Sequence, residues 1–392
     1  MGGTIGVERR CLDIETRRPL SFGFSDRLIF DGSGPIQGEA FISNLRSRQE
    51  TGRLEITPPD GWTASPREVR FKNLHWRTRT RGVRIEPPAG TMPGVYQGNL
   101  TLLTEEERRH KAFPAFNLGR GRVDVREIED QGREAYLVSN STMEYRLCPS
   151  FGGIIYSLKS GDLEFLASSF PEEKPHFTFN PWFGGISGQT RWESSKGWQE
   201  KHVARKASRG IWKGVETVCR PGNFMKNLKG LAITTGYFLA KSSNIMRIEQ
   251  EIANTTGARI EVQCGANVFV GLGRENDLES VVPDDLGMPY SRPRGDDPKL
   301  RFRSPEGWIA FRNPKLDGAI ILSGYTSDRG YVGMEESRGC LIMGATMRSV
   351  VEPGGSTKWA FHLALCSSSL DEIARHRHIR ELAPTTEPLV SP

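Results

Sequence analysis

The sequence predicts an all-β protein: a small sandwich, then a large two-sheet body closed by one short C-terminal helix. Three observations carry this. Apolar and polar residues alternate with period two in segment after segment, while helical periodicity is scarce. The alternating segments are bounded by Gly, Pro, Asn and Asp, as in Pro58-Pro59-Asp60-Gly61. The 392 residues include 43 Gly and 24 Pro, together about 17% against an ordinary share of about 12%, so many turns are needed.

In chain order the first strands are expected at residues 39–45, 53–57, 68–72, 80–86 and 95–103. They recur roughly every 12–15 residues, the spacing of an antiparallel sandwich. The charged stretch from Thr104 to His110 reads as a hairpin tip or the approach to a linker. The composition changes over 113–122, and the domain boundary is placed there: residues 1–115 form the first domain and 120–384 the second. In the second domain, strands are expected at 135–139, 143–147, 153–158, 212–218, 231–239, 243–253, 259–270, 307–312, 319–323, 340–346 and 357–365. So many strands exceed one small sandwich and call for two large sheets. Residues 170–210 and 276–304 read as long loops, which in a compact domain point to binding loops or to missed elements. Ser369 can cap a helix, Glu372 three residues on completes a capping box, and Leu370, Ile373, Ile379 and Leu382 give its apolar stripe. Pro384 ends it, and residues 385–392 form a disordered tail.

Composition narrows the function. Six Cys are dispersed with no CxxC or Cys/His pair, so neither a disulfide scaffold nor a zinc site of ordinary spacing is expected. No cofactor motif is found and no cofactor is expected; Gly271-Leu-Gly273-Arg-Glu275 lacks the spacing of a nucleotide loop. No apolar run approaches the roughly 20 residues of a membrane span, and the N-terminus lacks the apolar core of a secretory signal, so a cytoplasmic protein without membrane contact is expected. The net charge of +6 permits an acidic polymer as partner. The basic residues are scattered, most densely at Arg77, Arg79, Arg81 and Arg84, which fits a solvated strand face, and no nucleic acid is expected.

Two resemblances follow from particular motifs. Leu147-Cys-Pro-Ser-Phe-Gly152-Gly153-Ile-Ile-Tyr-Ser-Leu158, the hairpin Gly161-Asp-Leu-Glu-Phe-Leu166, Ile252-Ala-Asn254-Thr-Thr-Gly257, Glu306-Gly-Trp308-Ile-Ala-Phe311 and Glu352-Pro-Gly-Gly-Ser356 occur in an order that resembles the galactose mutarotase-like β-supersandwich. That resemblance covers about two thirds of the chain and implies a carbohydrate-active domain. Pro59-Asp60-Gly61-Trp62 and Pro93-Gly94-Val-Tyr96 before residues 97–103 resemble the Ig-like modules attached to glycosidases. Sugar epimerases of the supersandwich class use a facing His and Glu; neither matches a local motif here, so epimerase activity is not carried over.

Chemistry concentrates between His176 and His202, which holds three of the eight Trp. Sugars need this mixture, aromatic planes for their C–H faces and fixed polar groups for their hydroxyls. Asn180, Trp182, Gln189, Arg191, Trp192 and Trp198 are the expected binding residues. Glu193 and His202 are the expected acid/base pair, with Glu200 a further candidate; Glu193 beside Trp192 is open to a raised pKa by desolvation. Phe177, Phe179 and Phe183 read as core packing. The expected role is to bind or process a sugar or polysaccharide, an acidic one included, by glycosidase, lyase or epimerase chemistry; the alternative is a non-catalytic glycan-binding or structural module. Other acidic pairs read as solvated: Glu335-Glu336 as an exposed turn, Asp284-Asp285 as loop. His376 and His378, two apart, point to different helix faces and read as solvated.

Overall fold

The computed structural model describes residues 20–382 except 33, 46–47, 76, 177–178, 190–193, 294–299, 327–329 and 338–339. The expected tail at 385–392 lies outside them. The chain divides into two compact units, Met1–Arg120 and Gly121–Pro392.

Unit 1 is two sheets around one core. Four strands run in the order β1 (Leu20–Phe24), β3 (Ile36–Asn44), β7 (Arg77–Glu86) and β5 (Thr63–Ser65). Five run in the order β2 (Leu28–Phe30), β9 (Arg108–Asn117), β8 (Gly94–Thr104), β4 (Glu50–Thr57) and β6 (Glu68–Leu74). The alternation in β3 buries Ile36, Ala40 and Ile42 against Leu54, Ile56, Leu100 and Leu102. Trp62 follows the Pro59 turn, is buried, and packs against Phe30 and Tyr96 at 5.4 and 4.9 Å. The charged stretch after Thr104 is a hairpin tip, closed by the Thr104 N–H donating to the Glu107 carbonyl.

Unit 2 stacks two large sheets. One has the order β10 (Asp124–Asp130), β11 (Arg133–Ser139), β12 (Glu144–Cys148), β13 (Ile154–Ser160), β17 (Ile186–Gln189), β22 (Ile260–Phe269), β29 (Cys340–Val351), β28 (Gly330–Ser337), β25 (Leu300–Ser304), with β14 (Leu163–Glu164) beside β13. The other has β18 (His202–Arg209), β19 (Trp212–Cys219), β20 (Leu231–Ala240), β21 (Ile245–Asn254), β30 (Ser356–Cys366), β27 (Gly318–Ser323), β26 (Trp308–Asn313), β23 (Glu279–Pro283), β24 (Pro289–Pro293). A hairpin, β15 (Lys174–His176) and β16 (Phe179–Trp182), stands apart. Between the sheets, alternate residues such as Tyr145, Tyr237, Ile248, Val268, Met343 and Phe361 form the main core. Tyr145 donates its hydroxyl to the Tyr237 carbonyl at 2.6 Å, so the ring spans the sheets without leaving that carbonyl unsatisfied.

The two expected long loops are corrected. Residues 170–210 supply β15–β18 and helix α1 (Ser194–Gln199), and 276–304 supply β23–β25. Their strands are three to eight residues long with irregular alternation, which left no period to read. Glu335-Glu336 sits within β28 rather than on an exposed turn; Glu336 shares the inward face of Met334 and is buried. Asp284 does form a turn, accepting N–H bonds from Leu286 and Met288. Helix α2 (Leu370–His376) is capped by Ser369, which accepts the Asp371 N–H at 3.2 Å. Glu372 bonds Arg375 instead of closing a capping box, and the helix tightens to 3₁₀ from Arg377 to Leu382. His376 is buried, not solvated, its ring held between the Glu372 carbonyl and Asn244. On the outer face of the second sheet, the buried carboxylates of Glu216 and Glu249 are neutralised by Arg205 and Arg209 and by Arg247 and Lys358. No described helix is long and apolar enough to cross a membrane.

Candidate functional site

The segment expected to hold the chemistry lies against the outer face of the ten-stranded sheet. It builds a second apolar layer there from Phe151, Tyr156, Phe179, Phe183, Trp198 and Phe269. Phe183 stacks on Phe151 at 4.3 Å and on Trp198 at 5.6 Å, and Tyr156 stacks on Phe170 at 3.8 Å. Phe179 and Phe183 are packing residues; Phe177 lies outside the described residues.

At one end this layer opens into a groove of about 350 Å³. Trp182, Phe269, Gly271 and Gly273 line it together with the polar residues Ser168 and Glu275. Residues Leu166 and Ser168 bridge to Val270 and Gly184, which fixes this lining to the sheet. Gly184 adopts φ +74°, and a Cβ there would fall 2.7 Å from the Trp182 ring, so only glycine lets the indole lie this close to the backbone. A Cβ on Gly271 would fall 2.5 Å from Leu166 backbone. Trp182 is half-buried; His176 lies over it at 4.5 Å and Phe269 meets it edge-on at 5.9 Å. Its Nε1–H is buried without an acceptor among the described residues.

Trp198 and His202 line a different space, an interior cavity of about 30 Å³, enough for one or two waters. It lies where β13 and β17 part, since the two strands pair only at Ile155 and Ile186. Gly152, Gly153, Gly188, Thr217, Thr235 and Gln250 are part of its wall. The His202 ring packs onto Gly153, where a Cβ would come within 2.5 Å of Nδ1. Nε2–H donates to the Gly197 carbonyl at 3.0 Å, leaving Nδ1 as the unprotonated nitrogen. Burial pulls the imidazole pKa below its usual value and keeps it neutral. Trp198 is likewise buried, its Nε1 without a partner among the described residues.

Glu200 is buried beside this cavity but is occupied. Its carboxylate accepts the N–H groups of Gly222, Asn223, Phe224 and Met225 at 2.8–3.3 Å, tying the β19–β20 connection to the end of α1. Burial raises its pKa, but the four donors outweigh burial and hold the carboxyl below its ordinary value. Asn180 is exposed on β16. Gln189 pairs its backbone with Gly265. The Gln189 side chain and all of Arg191, Trp192 and Glu193 lie outside the described residues.

Of the expected site residues that are described, then, Trp182 alone lines the groove, and Trp198 and His202 meet elsewhere. Sequence reading missed Phe269, Ser168 and Glu275. The signal was present in Gly271-Leu-Gly273-Arg-Glu275, set aside for lacking nucleotide-loop spacing; close-approach glycines followed by a carboxylate also suit a groove lining.

No family model matches this chain. No curated protein matches it. Among solved structures it is similar to a galactose mutarotase-like protein from Clostridium acetobutylicum, at 10% identity over 62% of this chain and 99% of that one, with a TM-score of 0.47. It is similar to a putative aldose 1-epimerase from Klebsiella pneumoniae, at 10% identity over 76% and 90%, TM-score 0.47. It is also similar to a GH36 α-galactosidase from Geobacillus stearothermophilus, at 11% identity over 63% and 42%, TM-score 0.44.

Proposed function

We propose that unit 2 binds carbohydrate in the groove at Trp182 and that this is recognition without turnover. The observation that carries the reading is the groove itself: about 350 Å³, the size of a small-ligand site, lined by an indole together with Ser168 and Glu275. A pyranose ring offers C–H groups to Trp182 and hydroxyls to the Glu275 carboxylate.

Two of the candidate acid/base groups, His202 and Glu200, support binding alone. His202 is neutral, sealed against Gly153 and bonded to Gly197, and it lines the other cavity. Glu200 has its oxygens filled by four N–H donors. Direct proton transfer needs hydrogen-bond reach to one ligand, which neither has from the groove.

A glycan array followed by calorimetry tests this. The expected result is binding of a defined set of glycans, weakened by about 1–3 kcal/mol in Trp182→Ala, the size of one aromatic contact. Glu193→Gln is expected to leave that affinity unchanged, with no reducing sugar released by either form. Hydrolysis or epimerisation lost in Glu193→Gln would instead establish an enzyme.

A further inference from the structure

Unit 1 carries a charged surface that the groove in unit 2 does not use. Strand β7 buries Val83 and Ile85 on one face, and that same face continues as Arg81, Arg79 and Arg77, all exposed. Strand β5 pairs only with Arg84–Glu86, so among the described strands residues 77–82 have β3 on one side and nothing on the other. Alternate residues of a strand are roughly 7 Å apart, so the three guanidiniums stand in a row about 13 Å long.

Several of unit 1's arginines are paired, and this row is the place, among the described residues, where unpaired ones stand at alternate positions of one strand. Arg48 pairs with Glu50 and Glu106, Arg53 with Glu55, Arg70 with Glu68, and Arg84 with Glu86. Arg77, Arg79 and Arg81 form no ion pair with any described residue, and between them stand only Thr78 and Thr80. Edge strands do use charge to block pairing with other chains. That role is served by either sign and by arginines already paired to glutamates. Three uncompensated forks of one sign at alternate positions fit an extended anion.

We infer that this edge of β7 binds the acidic groups of a linear polysaccharide, carboxylate or sulfate. Guanidinium forks take such oxyanions in bidentate fashion. A single-stranded nucleic acid is the other linear polyanion, but its bases want aromatic planes, and residues 77–82 offer none. The inference is independent of the Trp182 groove.

The test uses the full chain and a sulfated glycosaminoglycan decasaccharide, titrated at several salt concentrations. Wild type is expected to bind. The triple variant Arg77→Gln, Arg79→Gln, Arg81→Gln is expected to bind at least tenfold more weakly, with a salt slope smaller by about two to three. Arg70→Gln, at an arginine already paired with Glu68, is expected to bind the decasaccharide as wild type does. An unfolding scan of the triple variant should match wild type, because all three side chains are exposed. The inference is overturned if wild type does not bind, if the triple variant binds equally well, or if an oligodeoxynucleotide of equal charge displaces the glycan at lower concentration.

Discussion

Glu200 and His202 are two residues apart, and each acts through what burial and hydrogen bonding do to its charge. Glu200 has a folded pKa below its unfolded one. Its contribution to stability is therefore full above about pH 4.3, the unfolded value, and is lost as pH falls through the folded pKa. Glu200→Gln keeps the shape but weakens four charge-assisted bonds, and is expected to cost about 1–3 kcal/mol at pH 7 and to flatten the acid limb of a denaturation profile. His202 also has a depressed folded pKa. Its neutral form is the one the fold accepts, so stability declines as pH drops below about 6.5. His202→Gln, whose amide can keep the bond to Gly197, should reduce that decline in urea titrations at pH 5 and 7. These two residues also mark the limit of reading chemistry from sequence. Titratable type and proximity to tryptophan made them candidates, but whether a carboxylate faces a ligand or four backbone N–H groups depends on residues 222–225, which nothing in the local sequence announces.

At the scale of elements, long strands were legible and short ones were not. β20, β21, β22 and β30 each run ten or eleven residues with core residues at alternate positions, and their period shows in the sequence. β15, β16 and β17 have three or four residues each, too few for a period, and their order depends on contacts with the sheet beneath. Asn254 illustrates a turn that was legible. Its amide donates to the carbonyls of Ala258 and Val351, and its oxygen accepts from Thr256, so one buried side chain joins β21, the turn and the end of β29. Asn254→Ala would strand two carbonyls and is expected to cost about 2–4 kcal/mol in chemical denaturation. Ser369→Ala, removing the cap of α2, is expected to cost about 1 kcal/mol.

For the whole molecule, the central claim is that one groove in unit 2 recognises a sugar through Trp182. The sequence located the aromatic segment, because eight tryptophans are few and three fall together. It did not separate the one that lines a groove from the one that packs, because Trp182 and Trp198 differ only in what the fold lays over them. The two units also differ in how they should come apart. β9 is bonded on both sides, to β8 and to β2, through Asn117, and β10 starts at Asp124. Limited proteolysis is therefore expected to cut within 118–123 and to leave a stable fragment of about 270 residues; cleavage within 108–117 would contradict that arrangement. The claim about the groove is tested most directly by the indole N–H resonances of ¹⁵N-labelled protein during titration with a glycan selected on the array. The expected result is a saturating shift of the Trp182 signal, assigned by its loss in Trp182→Phe, while the buried Trp198 and Trp308 signals stay in place. A Trp182 signal that does not move at saturating glycan would contradict the account.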